Sequence, residues 1–325
     1  MNKKLLAAVL AVFLLILGGC GEKAATNGPT DGPKEVKVGT WKTAQTIQPF
    51  LYKDYLPEGY NIEVLPFTNP GDQKAALLAG SLDMCGTTLA TAIIGASRGE
   101  PIVIVSSLCN KCSALVVGKD SGIDDITDLK GKTIAYVPGT MHHILLLQTL
   151  EKAGLDPQKD VTLKRIDFFD MAQALSQGEI DAFCSGEPYP SIAVAEGYGK
   201  ILAYPYYDDS IGPINAAMLT TREKIEKEPQ LIQDLVTAHL QATQELMQNP
   251  DKWLDLAEDF GTERKVLETA LSNMELVYDI DQKYIEQATS LAYQMKELGV
   301  ISEVPDMQKL FDLSFLTKAK EELNK

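Results

Sequence analysis

The residues of this chain best suited to chemistry are donors and acceptors grouped in short loops, not nucleophile–base pairs. Gly139 and Thr140 stand between an apolar run, KTIAYVPG (132–139), and a helical pattern, MHHILLLQTLEKA (141–153). Free backbone N–H groups at such a helix start, with the positive end of its dipole, suit an anion. Gly86, Thr87 and Thr88 repeat the arrangement ahead of TAIIGAS. In both places the threonine is equally suited to plain helix capping. His142 and His143 are neighbours, so on a helix their side chains diverge by about 100° and cannot share a target. A helix N-terminus disfavours imidazolium; His142 is the preferred contact, as a neutral donor or acceptor. Thr40, Trp41 and Gln45 follow a third apolar run, and Ser185, Glu187 and Tyr189 follow a fourth. Trp41, Tyr189 and Tyr204 suit stacking walls. Glu187 either caps the helix of SIAVAEG or holds a ligand amine. Lys42 and Lys111 are candidate anion partners or solvated side chains.

The elements that must position these loops are written twice. Positions 72–88 read DQKAALLAGSLDMCGTT, and 170–187 read DMAQALSQGEIDAFCSGE. Asp72, Ala76, Leu77, Gly80 and Asp83 answer to Asp170, Ala174, Leu175, Gly178 and Asp181. Each phrase predicts a short helix, N-capped by its first Asp and stopped at its Gly, followed by a strand. Ahead of them lie NIEVLPF (61–67) and VTLKRIDF (161–168), then helical TIQPFLYKDYL (46–56) and 141–153, then EVKVGTW (35–41) and KTIAYVPG. This β-α-β-α-β order, found twice, predicts two similar parallel α/β lobes. Ligands bind beyond the carboxyl ends of parallel strands. The loops Thr40–Gln45, Gly86–Thr88, Gly139–His143 and Ser185–Glu187 therefore converge if the lobes face one another. PIVIVSSLCNKCSALVVGKD (101–120) and the segment 200–223 supply two crossings, a hinge able to close on a ligand. Helical patterns after 223 are expected to pack back on the first lobe.

Lys3 and Lys4 precede an apolar run, Leu5–Leu17, too short to span a bilayer; Leu17-Gly18-Gly19-Cys20 then closes it as in a bacterial lipobox. Residues 1–19 read as a lipoprotein signal peptide, with Cys20 the lipidated first residue, and residues 20–34 as a flexible tether. Loss of Lys3 and Lys4 with the signal takes the formal charge from −15 to −17, which argues against a nucleic-acid partner. Of the other cysteines, Cys109 and Cys112 are the candidate disulfide. Cys85 and Cys184 end equivalent strands, so a soft-metal site with the histidines is a rival, although one C-x-x-C lacks a second pair.

The stretches SALVVGKDSGIDDITDLKGKTIAYVPGT, AGLDP and ALSQGEIDAFCSGEPYPSIA, with KELGVI and LFDLSFL near the end, resemble the nitrate/sulfonate/taurine class of ABC-importer substrate-binding proteins, related to thiamine-pyrimidine binders. The resemblance implies a type II periplasmic-binding-protein fold of class α/β. Lobe I would comprise 35–118 and 213–325, and lobe II 119–212. It further implies an extracytoplasmic, membrane-anchored lipoprotein that captures a small anion, an organosulfonate first, and delivers it to a membrane permease. Thiamine-type pyrimidines, nitrate and bicarbonate are the alternative ligands. No cofactor, catalytic residue or metal belongs to that expectation. A pyrimidine-synthase-like enzyme is the remaining alternative, but no G-x-S-x-G, H-E-x-x-H or P-loop pattern is present.

Overall fold

The computed structural model describes residues 32–206 and 211–323. The expected signal peptide, Cys20 and most of the expected tether lie outside the described residues.

Two mixed sheets carry the architecture. The first is built from β1 (Lys34–Thr40), β2 (Tyr60–Pro66), β3 (Met84–Thr88), β4 (Ile102–Lys111), β10 (Ile214–Thr221) and β11 (Met274–Leu276), in the order β11-β4-β10-β3-β1-β2. The second is built from β5 (Ser113–Gly118), β6 (Thr133–Tyr136), β7 (Thr162–Arg165), β8 (Ala182–Gly186) and β9 (Gly199–Ala203), in the order β7-β6-β8-β5-β9. Each sheet holds a parallel trio, β2-β1-β3 or β7-β6-β8, flanked by one antiparallel strand, β10 or β5. The expected repeat is thus present, and the added antiparallel strands come from the crossing segments. β5 pairs with β8, so the chain leaves the first sheet between Lys111 and Ser113. A lobe boundary at 118/119 would cut this strand from its own sheet.

The twice-written phrase produces the same local structure each time. Helices α1 (Pro70–Leu78) and α4 (Phe168–Ser176) end just before Gly80 and Gly178, and both glycines sit at φ 72°. An L side chain is strained at that angle, which is why the phrase keeps Gly there. The N-caps are Asn69 and Asp167, not Asp72 and Asp170, which fall in the first turns. There their charge favours the helix dipole without closing a cap. The last aspartates do matching work. Asp83 Oδ2 accepts from the Lys37 amide at 2.8 Å, and Asp181 Oδ2 from the Thr133 amide at 2.8 Å. The backbone of each returns the favour, with N–H bonds to Lys37 and Thr133 carbonyls at 2.8 and 2.9 Å.

Helix α2 (Leu89–Ser97) follows β3, α3 (Met141–Lys152) follows β6, and α5 (Tyr189–Ala195) follows β8. The segment expected as a helix over 46–56 forms 3-10 turns, Ala44–Thr46 and Gln48–Asp54; Pro49 removes a donor where an α-helix would begin to propagate. The tail comprises α6 (Arg222–Lys227), α7 (Pro229–Gln248), α8 (Pro250–Glu258), α9 (Arg264–Ala270), α10 (Gln282–Glu297), α11 (Met307–Leu310) and α12 (Ser314–Leu323). It also contributes the short strand β11, which its helical pattern did not announce. Leu231, Leu235 and Val236 pack with Val36, Val38 and Val103 on one face of the first sheet, and Leu291, Ala292 and Met295 join the cluster on the other. That second cluster also takes in Met141, Ile144 and Leu145 of α3, so apolar packing ties the two halves together.

Candidate functional site

Five parallel strands, β1, β2, β6, β7 and β8, end against a cavity of about 40 Å³. Trp41, Thr43, Gln45 and Thr46 line it after β1, and Thr68 after β2. His142 reaches it after β6, Phe168 and Phe169 after β7, and Gly186, Glu187 and Tyr189 after β8. Cys109, Cys112 and Asn215 complete the wall from the crossing segments. Of the residues expected from the sequence, Trp41, Gln45, His142, Glu187 and Tyr189 are brought together here.

The others lie elsewhere. Thr40 is buried and donates to the Thr46 carbonyl at 2.9 Å. Thr88 accepts from the Thr91 amide and Thr140 from the His143 amide, so both act as N-caps. Gly86 lies against Leu108 and Met218, where a Cβ would come within 2.6 and 3.0 Å of them. Thr87 is fully buried, and its hydroxyl has no partner among the described residues. The Ser185 hydroxyl donates weakly to the Gly186 carbonyl, at 3.4 Å. Gly139 and His143 line a second, larger crevice of about 1120 Å³, where the Gly139 amide donates to His143 Nδ1 at 3.3 Å. Arg98 and Arg165 share that crevice with Glu151 and Glu297, so its walls carry both signs of charge. Lys42 lies 5.5 Å from the Phe260 ring, Tyr204 is exposed, and Lys111 sits in the crossing at φ 60°. Of the two donor-rich loops on which the anion expectation rests, Gly86–Thr88 and Gly139–His142, only His142 is on the cavity wall.

The thiols of Cys109 and Cys112, the candidate disulfide pair, are free and buried in this structure. Lys111 and Cys112 take left-handed backbone, φ 60° and 63°, and place the second thiol to hydrogen-bond with the first. In this burial they pack as small apolar groups. Burial raises the Cys85 thiol and pushes the Cys184 thiol up to about 12. No group of three or more His, Cys, Asp or Glu side chains among the described residues is arranged to hold a metal.

Hydrogen bonds fix what the wall offers. Asn215 Nδ2 donates to Ser113 Oγ at 3.3 Å, and Ser113 Oγ lies 2.8 Å from His142 Nδ1. With the proton on Nε2 the serine hydroxyl donates to Nδ1, and with the proton on Nδ1 it accepts, so the tautomer sets the direction of this bond. Burial lowers the His142 pKa to about 4, so the ring is neutral. His142 also meets Phe168 edge-on at 5.3 Å. Gly186 permits this approach: a Cβ there would lie 2.9 Å from His142 Cε1. Trp41 Nε1 and Gln45 Oε1 are buried on the wall without partners among the described residues, one a donor and the other an acceptor. Glu187 accepts from Asn273 Nδ2 at 3.1 Å and from the Ser191 amide at 3.2 Å. Desolvation nonetheless raises its pKa. Among the lining residues Glu187 is the one carboxylate, and lysine and arginine are absent. Thr43, Thr46, Thr68, Phe168, Phe169, Gly186, Cys109, Cys112 and Asn215 were not singled out as ligand contacts. The rule about carboxyl ends of strands would have found Thr68 and the two phenylalanines had it been applied after β2 and β7 as well.

Two sheets of this matching topology, with a cavity where their strands point, define the two-lobed fold of periplasmic binding proteins. The chain belongs to the NMT1/THI5-like family, whose model matches residues 52–253. It is 27% identical over 335 residues, 99% of this chain and 98% of the relative, to a Bacillus subtilis (strain 168) protein named as aliphatic sulfonates-binding. Over 39% of this chain and 36% of the relative it is 36% identical to the 4-amino-5-hydroxymethyl-2-methylpyrimidine phosphate synthase of Schizosaccharomyces pombe (strain 972 / ATCC 24843). The alkanesulfonate-binding protein of Xanthomonas axonopodis pv. citri, solved with MOPS, superposes with a TM-score of 0.77 at 20% identity, over 87% of this chain and 99% of that one.

Proposed function

We propose that this protein is the extracytoplasmic ligand-binding component of an ABC importer, and that it captures a small ring-bearing molecule that both donates and accepts hydrogen bonds. Similarity along nearly the whole chain to a sulfonates-binding protein supports the transport role. The observation that carries the ligand class is the wall itself: one carboxylate, Glu187, neutral donors at His142 and Trp41, and aromatic rings from Phe168 and Tyr189. A bare anion would meet Glu187 with no cation to offset it, a buried repulsion that costs several kcal/mol. An aminopyrimidine offers an exocyclic amine for Glu187 and ring nitrogens for the donors. A cavity of about 40 Å³ holds about three waters, so a ring requires the sheets to part before closing on it.

A second reading has support of its own. An amino-sulfonate such as taurine would place its amine on Glu187 and its sulfonate on Trp41 Nε1 and His142, in keeping with the relatives' names. Calorimetric titration separates these readings. The probes are 4-amino-5-hydroxymethyl-2-methylpyrimidine, taurine, methanesulfonate, nitrate and bicarbonate. Binding of the pyrimidine supports the first reading, and binding of taurine alone supports the second. Binding of methanesulfonate, nitrate or bicarbonate with neither amine would overturn both. We further propose a lipid anchor on Cys20; intact-mass measurement of the membrane-extracted protein must show acyl mass there.

A further inference from the structure

The helical tail reaches the ligand site through a residue that does not itself line the cavity. Asn273 ends the turn after α9, on the first sheet's side, and is buried. Its Nδ2 donates to Glu187 Oε1 at 3.1 Å and to the Ser113 carbonyl at 3.3 Å. Its Oδ1 lies 3.0 Å from Tyr206 Oη. The Tyr206 oxygen accepts the Ser113 amide and lies 2.9 Å from the Ser113 carbonyl.

These bonds permit one orientation of the amide. The Tyr206 oxygen receives the Ser113 N–H, and its one proton is shared between the Ser113 carbonyl at 2.9 Å and Asn273 Oδ1 at 3.0 Å. A flipped amide would aim Oδ1 at the Glu187 carboxylate, oxygen against oxygen, and would lose the bond to the Ser113 carbonyl. In this orientation Asn273 Oδ1 faces the Tyr206 O–H, and Asn273 Nδ2 donates to Glu187 and to the Ser113 carbonyl. With Ser191 N–H on Oε2, both carboxylate oxygens receive donors and neither is asked to give a proton.

We propose that Asn273, oriented by Tyr206, is a positioning residue that keeps Glu187 a hydrogen-bond acceptor and so selects ligands that present an N–H donor. The ligand preference rests on the proposed function; the action of Asn273 on Glu187 does not.

The test reads the carboxylate first. In protein labelled with ¹³C-glutamate, the Glu187 carboxyl signal is assigned by its loss in Glu187→Gln, and its titration is followed in wild type and in Asn273→Ala. The midpoint should rise in the variant, because a donor that favours the ionised form is gone. Tyr206→Phe, which keeps the ring in place, should raise it by less. An unchanged midpoint in both variants overturns the proposal, whatever the ligand.

Affinity for 4-amino-5-hydroxymethyl-2-methylpyrimidine and for taurine is then measured from pH 8 to pH 5. Asn273→Ala should lose affinity increasingly towards low pH, by about tenfold more than wild type for each unit its Glu187 midpoint has risen. Each ligand's own protonation enters both curves equally, so their difference isolates the protein. A uniform loss at every pH marks Asn273 as merely structural and counts against the proposal. If wild type binds neither probe, the ligand class fails, while the carboxyl titration still decides the role of Asn273.

Discussion

The side-chain amide of Gln45 donates a 2.6 Å hydrogen bond to the backbone carbonyl of Glu187, joining the turn after β1 to the loop after β8. One bond thus spans the cavity from the first sheet to the second. Gln45→Ala should leave the folded core intact and weaken ligand binding by about 1 kcal/mol, the usual net contribution of a neutral hydrogen bond. Calorimetry on the variant measures the loss. Small-angle scattering should show the ligand-bound variant less compact than ligand-bound wild type, because the closed state loses part of its differential stability. Unchanged affinity and unchanged scattering would show that closure does not depend on this contact.

Three imidazoles make stability pH-dependent with a definite sign. Burial lowers His142, His143 and His239 to about 4. The unfolded chain takes up protons near the ordinary value of about 6.5, whereas the folded chain refuses them until near 4. Stability present above pH 6.5 is therefore lost as pH falls through that window, by about 1–2 kcal/mol per imidazole between pH 7 and pH 5. Glu187 opposes the trend, since its raised pKa favours the protonated fold at low pH, but it is one group against three. Urea midpoints measured from pH 8 to pH 5 should fall steadily. A flat profile would mean that these rings are solvated and titrate normally.

The buried cysteines should be inert in the native protein. Burial raises the thiols of Cys85 and Cys184, the hydrogen bond with Cys109 followed by burial raises that of Cys112, and thiolate is the reactive form. Alkylation at neutral pH followed by peptide mapping should label Cys85, Cys109, Cys112 and Cys184 only after unfolding. A native peptide with Cys109 and Cys112 joined by oxidation would contradict the free thiols.

Sequence and structure agree where a signal is local and periodic. The parallel trios were legible from β-α-β order, and the helix stops from Gly80 and Gly178. The crossing was harder to read. Nothing in Asn110-Lys111-Cys112 marks two left-handed residues, since neither is Gly, yet the chain changes sheets there. At the site, residues on strand-end loops were legible as a set, but the role of each was not. Thr88 and Thr140 fit anion binding and helix capping equally well in sequence, and only geometry showed that their oxygens are spent on amides three residues on. Asn273 was invisible because it reaches Glu187 across 86 positions from a segment that reads as helix.

The repeated phrase itself makes the last prediction. Asp83 and Asp181 each bracket the backbone of the first parallel strand in their sheet, by one carboxylate bond and one amide bond. Both lie before the strands they introduce, at the opposite end from the cavity. Their replacement by alanine leaves the Lys37 or Thr133 amide without its acceptor, at a cost of about 1–3 kcal/mol. Asp83→Ala should cost more than Asp181→Ala. Asp83 also holds Lys224 at 2.7 Å in a largely buried pair, whereas Lys132 stands 3.9 Å from Asp181 in a more exposed one. Neither variant should alter ligand affinity once the protein is folded. Denaturant midpoints and calorimetry on the same preparations separate the two effects. A selective loss of affinity in Asp181→Ala at unchanged stability would place that aspartate in the ligand's service and break the equivalence between the two sheets.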